Sequence, residues 1–155
     1  MVAEYKLTYF DIRGLGDVSR QLFALAGVEY EDDRVIKDIW PTLEEDTPFG
    51  QLPVLETNGI RIPQSLAIAR YLANKFGFAG KTAEEKALTD AFGYQFKDFY
   101  EQIKPCYFAK IGLLTNDPDI EKALIPTRNI FFKILQKYLK KFEIWILGRQ
   151  RGHIC

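Results

Sequence analysis

The sequence predicts an α/β domain followed by an all-helical domain, and three observations support this division. Residues 5–35 show strand, helix and strand patterns in succession. Asn58-Gly59 lies between two short apolar runs, which is the strongest short hairpin signal that a sequence offers. From Thr82 onward the apolar residues recur at helical spacing.

The N-terminal strand-helix-strand unit is predicted from periodicity and from glycine positions. Tyr5–Phe10 is rich in β-forming residues and partly alternating, so it is predicted as a strand. Helical spacing begins at Gly16 and ends at Gly27. Tyr30–Val35 is predicted as a second strand, parallel to the first because a helix connects them. A short irregular helix is expected at Asp38–Asp46.

The next stretch predicts a hairpin and a capped helix. Short strands are expected at Val54–Leu55 and Ile60–Ile62. A helix at Ser65–Phe76 follows Gln64, with Ser65 as its N-cap. The free N–H groups and the dipole of such a helix start attract an anion.

The turn before the hairpin offers a second set of hydrogen-bonding groups. Leu52 precedes Pro53, and a residue before proline is held in an extended conformation. Its backbone N–H and C=O are therefore presented to an extended partner. Together the two sets suit a peptide-like ligand that carries a carboxylate, and a purely structural hairpin and capped helix is the alternative.

The helical domain is predicted at residues 82–155, after the α/β domain at residues 1–79. Thr82 and Glu85 fit a capping box at its first helix. Two apolar stripes follow, and stripes at this spacing are more typical of a core than of a ligand site. They consist of Leu88, Phe92, Phe96, Phe99 and Ile103, and of Ile130, Phe131, Ile134, Leu135, Tyr138 and Leu139.

Prolines divide the helical domain. Pro105 is expected to kink or end the first long helix, because proline removes a backbone donor and clashes with the preceding turn. Asp117-Pro118 is expected to start the next helix, as a cap followed by proline at the first position. Pro126 is expected to kink that helix.

Composition excludes several function classes. The 155 residues carry 21 basic and 21 acidic side chains, and a formal net charge of zero argues against nucleic acid as a partner. The N-terminus has no signal-peptide pattern, and no apolar run approaches the ~18 residues of a membrane span. Cys106 and Cys155 form no metal or redox spacing, and His153 is the single histidine. A soluble cytoplasmic protein without a metal site is expected.

Four motifs resemble the glutathione transferases, specifically the sigma-type enzymes of invertebrates and nematodes. They are YKLTYFDIRG, Trp40-Pro41, PFGQLPVLE and QSLAIARYLANKFGFAGKT, and a weaker resemblance continues through DAFGYQFKDFYEQIKP. The resemblance implies a thioredoxin-like N-terminal domain and an all-helical C-terminal domain. It also implies transfer of the sulfur of glutathione to small hydrophobic electrophiles, by a cytoplasmic homodimer in the family.

Tyr9 resembles the catalytic tyrosine of this family. The reactive form of glutathione is its thiolate, and a free thiol titrates above neutral pH. A hydroxyl that donates to the sulfur favours the charged form and lowers the pKa of the thiol. A half-buried strand tyrosine is the structural alternative for Tyr9.

The same resemblance implies the contacts of the central and γ-glutamyl parts of glutathione. Leu52 would pair its backbone with the cysteinyl part, with Pro53 in the cis form. Gln64 and Ser65 would hold the γ-glutamyl carboxylate at the helix start. Asp98 would reach the γ-glutamyl amine from the partner subunit, or else is a surface charge of its helix.

The resemblance also implies that Trp40 and Gln51 lie near the glycyl end, while Gly50 and Gln51 flank the Leu52 turn. Glu44 stands where sigma-type relatives often carry a lysine, which predicts weaker glutathione binding. Arg13 belongs to the Arg-Gly turn of the family and is expected either in a buried, structural ion pair or in a ligand contact. The electrophile site is assigned to Phe10, Tyr100 and Tyr107.

The tail KKFEIWILGRQRGHIC does not resemble the family from about residue 142. A frameshifted or mis-spliced end is expected, and a lineage-specific short tail is the alternative. An incomplete helical domain would leave aromatic stripes exposed, at a cost of about 1.5–3 kcal/mol for each large side chain. The 155-residue chain is then expected to be unstable, doubtful as a dimer and weakly active. A non-catalytic protein that binds glutathione or a hydrophobic ligand, and an inactive truncated product, are the other interpretations.

Overall fold

The computed structural model describes residues 4–115 and 118–151, with residues 120, 121, 123 and 142–151 described by their backbone alone. Two compact units divide the chain, Met1–Gly93 and Tyr94–Cys155. In chain order the elements are β1 (Tyr5–Phe10), α1 (Asp17–Ala26), β2 (Glu31–Val35), α2 (Trp40–Leu43), a 3₁₀ turn (Glu44–Asp46), β3 (Val54–Thr57), β4 (Ile60–Pro63), α3 (Ser65–Phe76), α4 (Ala83–Lys110) and α5 (Pro118–Arg151).

The strands of the first unit form one sheet in the order β2-β1-β3-β4. β1 is parallel to β2 and antiparallel to β3, and β3 is antiparallel to β4. The parallel pairing predicted for the first two strands is therefore confirmed, as is the hairpin around Asn58-Gly59. A βαβ unit followed by a β-hairpin and a helix is the thioredoxin-like arrangement, and it precedes a helical region as predicted.

The core of the first unit lies between one face of the sheet and the helices α1 and α3. Tyr5, Leu7 and Tyr9 alternate inward along β1, as the pleat of a strand requires. Phe23 of α1 is fully buried and stacks on Tyr30, with ring centroids 4.1 Å apart. The buried cluster consists of Tyr5, Leu7, Phe23, Leu55, Ile68 and Leu72.

The helix starts agree with the sequence in one case and differ in another. The capping box is confirmed, because the Glu85 N–H donates to Thr82 Oγ1 and the Thr82 N–H donates to Glu85 Oε2, both at 3.2 Å. The predicted N-cap of α3 is wrong by one residue, since Gln64 is the N-cap and Ser65 is already helical. The carbonyl of Gln64 accepts the first helical bond, from Ile68 at 3.0 Å, and this defines the cap.

A kink or an end was predicted at Pro105, and helix α4 continues through Pro105 to Lys110, so the predicted end is wrong. A proline inside a helix costs about 3 kcal/mol. Phe99, Tyr100 and Cys106 are buried on either side of this position, and their packing offsets that cost.

Helix α5 begins at Pro118, which confirms the predicted helix start, and it runs on through Pro126. Asp117, the predicted cap, lies outside the described residues, as do His153 and Cys155. The backbone of α5 extends to Arg151, and the side chains of the unusual tail from residue 142 lie outside the description.

The two predicted apolar stripes form a core over only part of their length. Phe99 of α4 and Phe131 of α5 are buried and stack with ring centroids 4.1 Å apart. Two helices alone bury a narrow seam of each other, so the wider stripes stay partly in water. The core prediction is wrong for the exposed members, which are Phe92, Phe96, Ile130, Ile134 and Leu139.

Neither a membrane span nor a metal cluster is found in the described part of the chain. Within residues 4–115 and 118–151, no helix is long and apolar enough to cross a membrane. Over the same described ranges, no group of three or more His, Cys, Asp or Glu side chains is placed to hold a metal ion.

Candidate functional site

The register of the sheet brings three segments of the predicted site to the same edge. Thr8 of β1 pairs with Val54 of β3, and Val54 pairs with Pro63 of β4. β3 is antiparallel to both of its neighbours, β1 and β4. The next residue of β1, the residue before β3 and the residue after β4 therefore lie together at this edge. These residues are Tyr9, Pro53 and Gln64, one position beyond the paired row.

Tyr9 is held from two sides at this edge. Its side chain is only 4% exposed, and its hydroxyl oxygen accepts a hydrogen bond from the backbone N–H of Leu15 at 3.0 Å. The Tyr9 ring also contacts Phe10 edge to face, with centroids 5.7 Å apart. A phenol group can accept one hydrogen bond and donate another at the same time.

The turn before β3 presents the backbone of Leu52. The Leu52–Pro53 peptide bond is cis, as expected. Thr47 Oγ1 fixes the turn, since it accepts the Gln51 N–H at 3.0 Å and donates to the Glu44 carbonyl at 2.8 Å. Among the described residues, no hydrogen bond involves the backbone N–H or C=O of Leu52. Backbone groups of this kind need a partner, and an extended peptide can supply one.

The start of α3 lies beside this turn. Gln64 has φ +72 and ψ 116, an unusual conformation for a residue other than glycine, and such strain is typical of functional sites. Its side-chain Nε2 donates to Gln51 Oε1 at 3.2 Å, which joins the helix start to the turn. Ser65 follows, buried, as the first residue of a 12-residue helix. The turn that carries Leu52 and the start of α3 are therefore neighbours.

The other flank of the site carries Trp40 and Glu44. The half-buried Trp40 ring contacts the Phe10 ring edge to face, with centroids 5.3 Å apart. Because Phe10 also contacts Tyr9, the Phe10 ring connects Trp40 to Tyr9. Gly50 has φ +61, and a side chain there would stand 3.8 Å from Glu44 Oε1. The Glu44 carboxylate thus borders the turn that holds Gly50 and Gln51.

Three predicted residues are not brought to this edge by the described contacts. Asp98 is exposed on α4, and Tyr100 and Tyr107 lie on the same helix, all in the second compact unit. The rings of Tyr100 and Tyr107 contact each other at a centroid distance of 6.4 Å.

The expectation of a buried ion pair for Arg13 is wrong, because Arg13 is exposed. The buried pair belongs to Arg20, whose side chain is 12% exposed and bonds to Asp17 and Asp32 at 3.0 Å each. Burial lowers the pKa of Arg20, but the hydrogen bonds to Asp17 and Asp32 outweigh it and the pKa is raised, so this arginine stays charged. The spacing of Asp17 and Arg20, three apart on one helix, was the available sequence signal.

Gly16 is a second residue that the sequence did not mark as part of the site. It is buried at the N-cap of α1, and a Cβ there would stand 2.5 Å from both Cγ and Cδ1 of Tyr9. Carbon atoms pack at about 3.5–4.0 Å, so a side chain at Gly16 would collide with the Tyr9 ring. The only sequence signal was a glycine directly before a helix.

The chain is similar to known proteins in both sequence and fold. The profile of the family described as glutathione S-transferase, N-terminal domain, matches residues 5–74. Glutathione S-transferase 1 of Ascaris suum is 46% identical over 140 residues, which cover 89% of this chain and 68% of that protein.

Two solved structures extend the comparison. Monomeric Na-GST-3, a glutathione S-transferase of Necator americanus, gives a TM-score of 0.83 at 46% identity and covers 89% of this chain and 68% of its own. Prostaglandin synthase D of Nilaparvata lugens gives a TM-score of 0.77 at 35% identity, with coverages of 88% and 68%. The chain therefore spans about two thirds of the length of these relatives.

Proposed function

We propose that this chain, which belongs to the glutathione S-transferase family, transfers the sulfur of glutathione to small hydrophobic electrophiles. Glutathione is the co-substrate and brings its own thiol, so the reaction needs no cysteine nucleophile from the protein. We further assign the chain to the sigma type, because it carries the PFGQLPVLE and QSLAIARYLANKFGFAGKT motifs. We also assign it to the cytoplasm.

The observation that carries this proposal is the row Thr8–Val54–Pro63 of the sheet. It aligns Tyr9, the backbone of Leu52 and the start of α3 at one edge. An extended tripeptide fits such an edge, because its backbone can pair with Leu52 while a terminal carboxylate meets the N–H groups of a helix start.

Tyr9 acts as the catalytic residue in this proposal. Its O–H donates to the sulfur of bound glutathione and stabilises the thiolate before the thiolate attacks the electrophile. Each unit by which the pKa of the thiol falls corresponds to about 1.4 kcal/mol of preferential stabilisation of the charged form.

The remaining assignments orient the ligand. Gln64 and Ser65 hold the γ-glutamyl carboxylate, and Gln51 lies toward the glycyl end with Trp40 and Gly50. We assign the glutathione site to residues 1–79, ahead of the helical domain at 82–155. The candidate residues for contact with the electrophile are Phe10 of β1 and Tyr100 and Tyr107 of α4. Asp98 contributes only if two chains associate, and the Necator americanus relative is described as monomeric.

The test is Tyr9→Phe, which removes the donor and keeps the ring. We expect kcat for conjugation of a model electrophile at neutral pH to fall about 10²–10³-fold while the Kd for glutathione changes little, because the lost interaction acts on charge at sulfur. Tyr94→Phe, which changes a 51% exposed tyrosine, is the control and should keep full activity.

Two other outcomes are informative. Equal turnover by Tyr9→Phe and the unchanged chain would refute the role of Tyr9. Retention on immobilised glutathione without conjugation by the unchanged chain would favour a non-catalytic binding protein.

A second activity, isomerase or peroxidase activity on lipid products with glutathione, is proposed alongside conjugation. It is supported by the similarity to prostaglandin synthase D of Nilaparvata lugens. Product analysis after incubation with a prostaglandin endoperoxide and glutathione tests it, and Tyr9→Phe should abolish any product above the uncatalysed background. A product profile identical to that without protein would exclude this activity.

A further inference from the structure

We propose that Arg20 is a positioning residue for catalysis: it fixes the loop of residues 11–16 so that the Leu15 amide is held against the hydroxyl of Tyr9. This inference rests on the proposed function, because it assigns Arg20 a role through the proposed catalytic tyrosine. It concerns a residue on α1 that would not itself contact the substrate.

The contacts of Arg20 are concentrated on the start of this loop. Nη2 donates to the carbonyl of Phe10 at 3.4 Å, and Nη1 donates to the carbonyl of Ile12 at 3.3 Å. The same guanidinium is oriented by carboxylates, with Nε on Asp32 Oδ1 and Nη1 on Asp17 Oδ1, both at 3.0 Å. A guanidinium is planar, so these four bonds fix its position and with it two peptide groups of the loop.

Asp17 carries the restraint to the end of the loop. Its second carboxylate oxygen accepts the N–H of Gly14 at 3.2 Å, and its own N–H donates to the carbonyl of Gly14 at 3.1 Å. The next peptide N–H is that of Leu15, which donates to Tyr9 Oη at 3.0 Å. The chain of contacts from Arg20 to the tyrosine oxygen is therefore continuous: Arg20, Asp17, Gly14, Leu15 and Tyr9.

Arg20 also acts on Tyr9 directly. The carbon at the centre of its guanidinium lies 5.6 Å from the centroid of the Tyr9 ring. A cation at this distance interacts with the ring electrons, and a donor on the phenol oxygen polarises the O–H bond. Both effects have the same sign, since each makes the Tyr9 O–H a stronger donor toward a thiolate.

Arg34 offers a matched control, because it shares Asp32 with Arg20 but contacts the loop only through the exposed side chain of Asp11 and not through a backbone carbonyl. Its Nε bonds to the other oxygen of Asp32 at 2.8 Å, and its Nη1 bonds to the Asp11 side chain at 2.6 Å. The side chain of Arg34 is 52% exposed, against 12% for Arg20. Exposed pairs contribute little to stability, so Arg34→Met removes an arginine beside Asp32 and an exposed pair with Asp11, and leaves the backbone contacts of the loop in place.

The experiment measures the pKa of the glutathione thiol bound to the protein, from the ultraviolet absorbance of the thiolate. We expect Arg20→Met to raise this pKa by about 0.5–1 unit, the equivalent of one weakened hydrogen bond, and Arg34→Met to leave it unchanged. The kcat of Arg20→Met at neutral pH should fall in proportion, with KM for glutathione within about twofold. Arg20→Lys keeps the positive charge but not the planar guanidinium, so its thiol pKa should lie between those of Arg20→Met and the unchanged chain. It also provides a second variant in case Arg20→Met fails to fold.

A double-mutant cycle separates positioning from general support of the fold. In a Tyr9→Phe background, Arg20→Met should not shift the thiol pKa further, because its effect passes through the Tyr9 hydroxyl. Equal shifts in both backgrounds would overturn the proposal, as would an effect confined to KM.

A second measurement does not need glutathione. Exchange of the Leu15 amide hydrogen should accelerate about tenfold or more in Arg20→Met and stay unchanged in Arg34→Met, since the loop opens locally when its restraints are lost. Unchanged Leu15 exchange in Arg20→Met would overturn the role of Arg20 even if the unchanged chain ionised glutathione. A chain that never ionises bound glutathione would instead refute the proposed function, and the exchange result would still decide whether Arg20 holds the loop.

Discussion

Tyr5 predicts a specific loss of stability at alkaline pH. Its side chain is 2% exposed, and its ring packs against Phe23 and Phe76 with centroid distances of 5.4 and 6.0 Å. Burial, followed by the neighbouring Glu4 carboxylate, raises the pKa of Tyr5 to about 12. The folded state therefore keeps the Tyr5 proton at pH values where the unfolded chain, with a tyrosine pKa near 10, has lost it.

The sign follows from this difference in proton binding. A group whose folded-state pKa is raised stabilises the fold fully below the unfolded pKa, and this stability is lost as the pH rises through the folded pKa. For values of about 10 and 12, the loss between pH 9 and pH 11 is about 1.3 kcal/mol in the free energy of unfolding. That is a large fraction of the ~5–15 kcal/mol typical of a folded domain.

The assay compares urea unfolding of the unchanged chain and of Tyr5→Phe, followed by circular dichroism at pH 9 and at pH 11. Phenylalanine has no titrating group, so Tyr5→Phe should lose about 1.3 kcal/mol less than the unchanged chain over this interval. Tyr94→Phe, at a 51% exposed position, is the control for the removal of a phenol and should follow the unchanged chain. If Tyr5→Phe and the unchanged chain lose the same stability, the buried phenol does not couple folding to pH and the reasoning is wrong.

Three further predictions follow from contacts described above. Gly16→Val places a side chain where a Cβ already stands 2.5 Å from the Tyr9 ring, and should lower kcat about 10–100-fold with the fold retained by circular dichroism; full activity would contradict the collision. Thr57→Val removes a buried hydroxyl that has no hydrogen-bond partner among the described residues. The variant should raise the free energy of unfolding by about 1 kcal/mol in urea. A lower free energy of unfolding would indicate that the hydroxyl is hydrogen-bonded after all. Glu44→Lys should lower the Kd for glutathione about tenfold at low ionic strength in calorimetry, and by less in high salt. Glu45→Lys makes the same change of charge at the next residue and should lower the Kd by less. Equal decreases in Kd for the two variants would show that Glu44 does not belong to the site.

Local patterns in the sequence were sufficient to predict most of the first unit. Tyr5–Phe10 was predicted with its observed bounds, because alternation and β-forming residues agree there. The hairpin strands were also located, although each is longer in the structure than predicted. The stop of α1 at Gly27 was predicted because its φ of +64 favours glycine, so the residue type itself marks the end.

The parts that were not predicted depend on contacts distant in sequence. Nothing about the residue type of Gln64 indicates a φ of +72, since its conformation is set by the β4–α3 connection and by its bond to Gln51. Helix α4 does not end at Pro105, because the local cost of about 3 kcal/mol is smaller than what burial of the neighbouring side chains supplies. Arg20 was missed because its partners lie on several elements: the Phe10 and Ile12 carbonyls are 10 and 8 residues away, and Asp32 is 12 residues away.

The composition of the outer strands bears on self-association. β2 and β4 are the edges of the described sheet, and exposed strand edges are templates for pairing with further copies. β2 reads EDDRV, four charged residues in five, and β4 carries Arg61 and ends at Pro63. Charges and proline are the residues that block edge pairing, so growth of this sheet into fibrils through either edge is disfavoured. Concentrated samples should therefore form aggregates without cross-β character, even where the apolar helix surfaces described above associate.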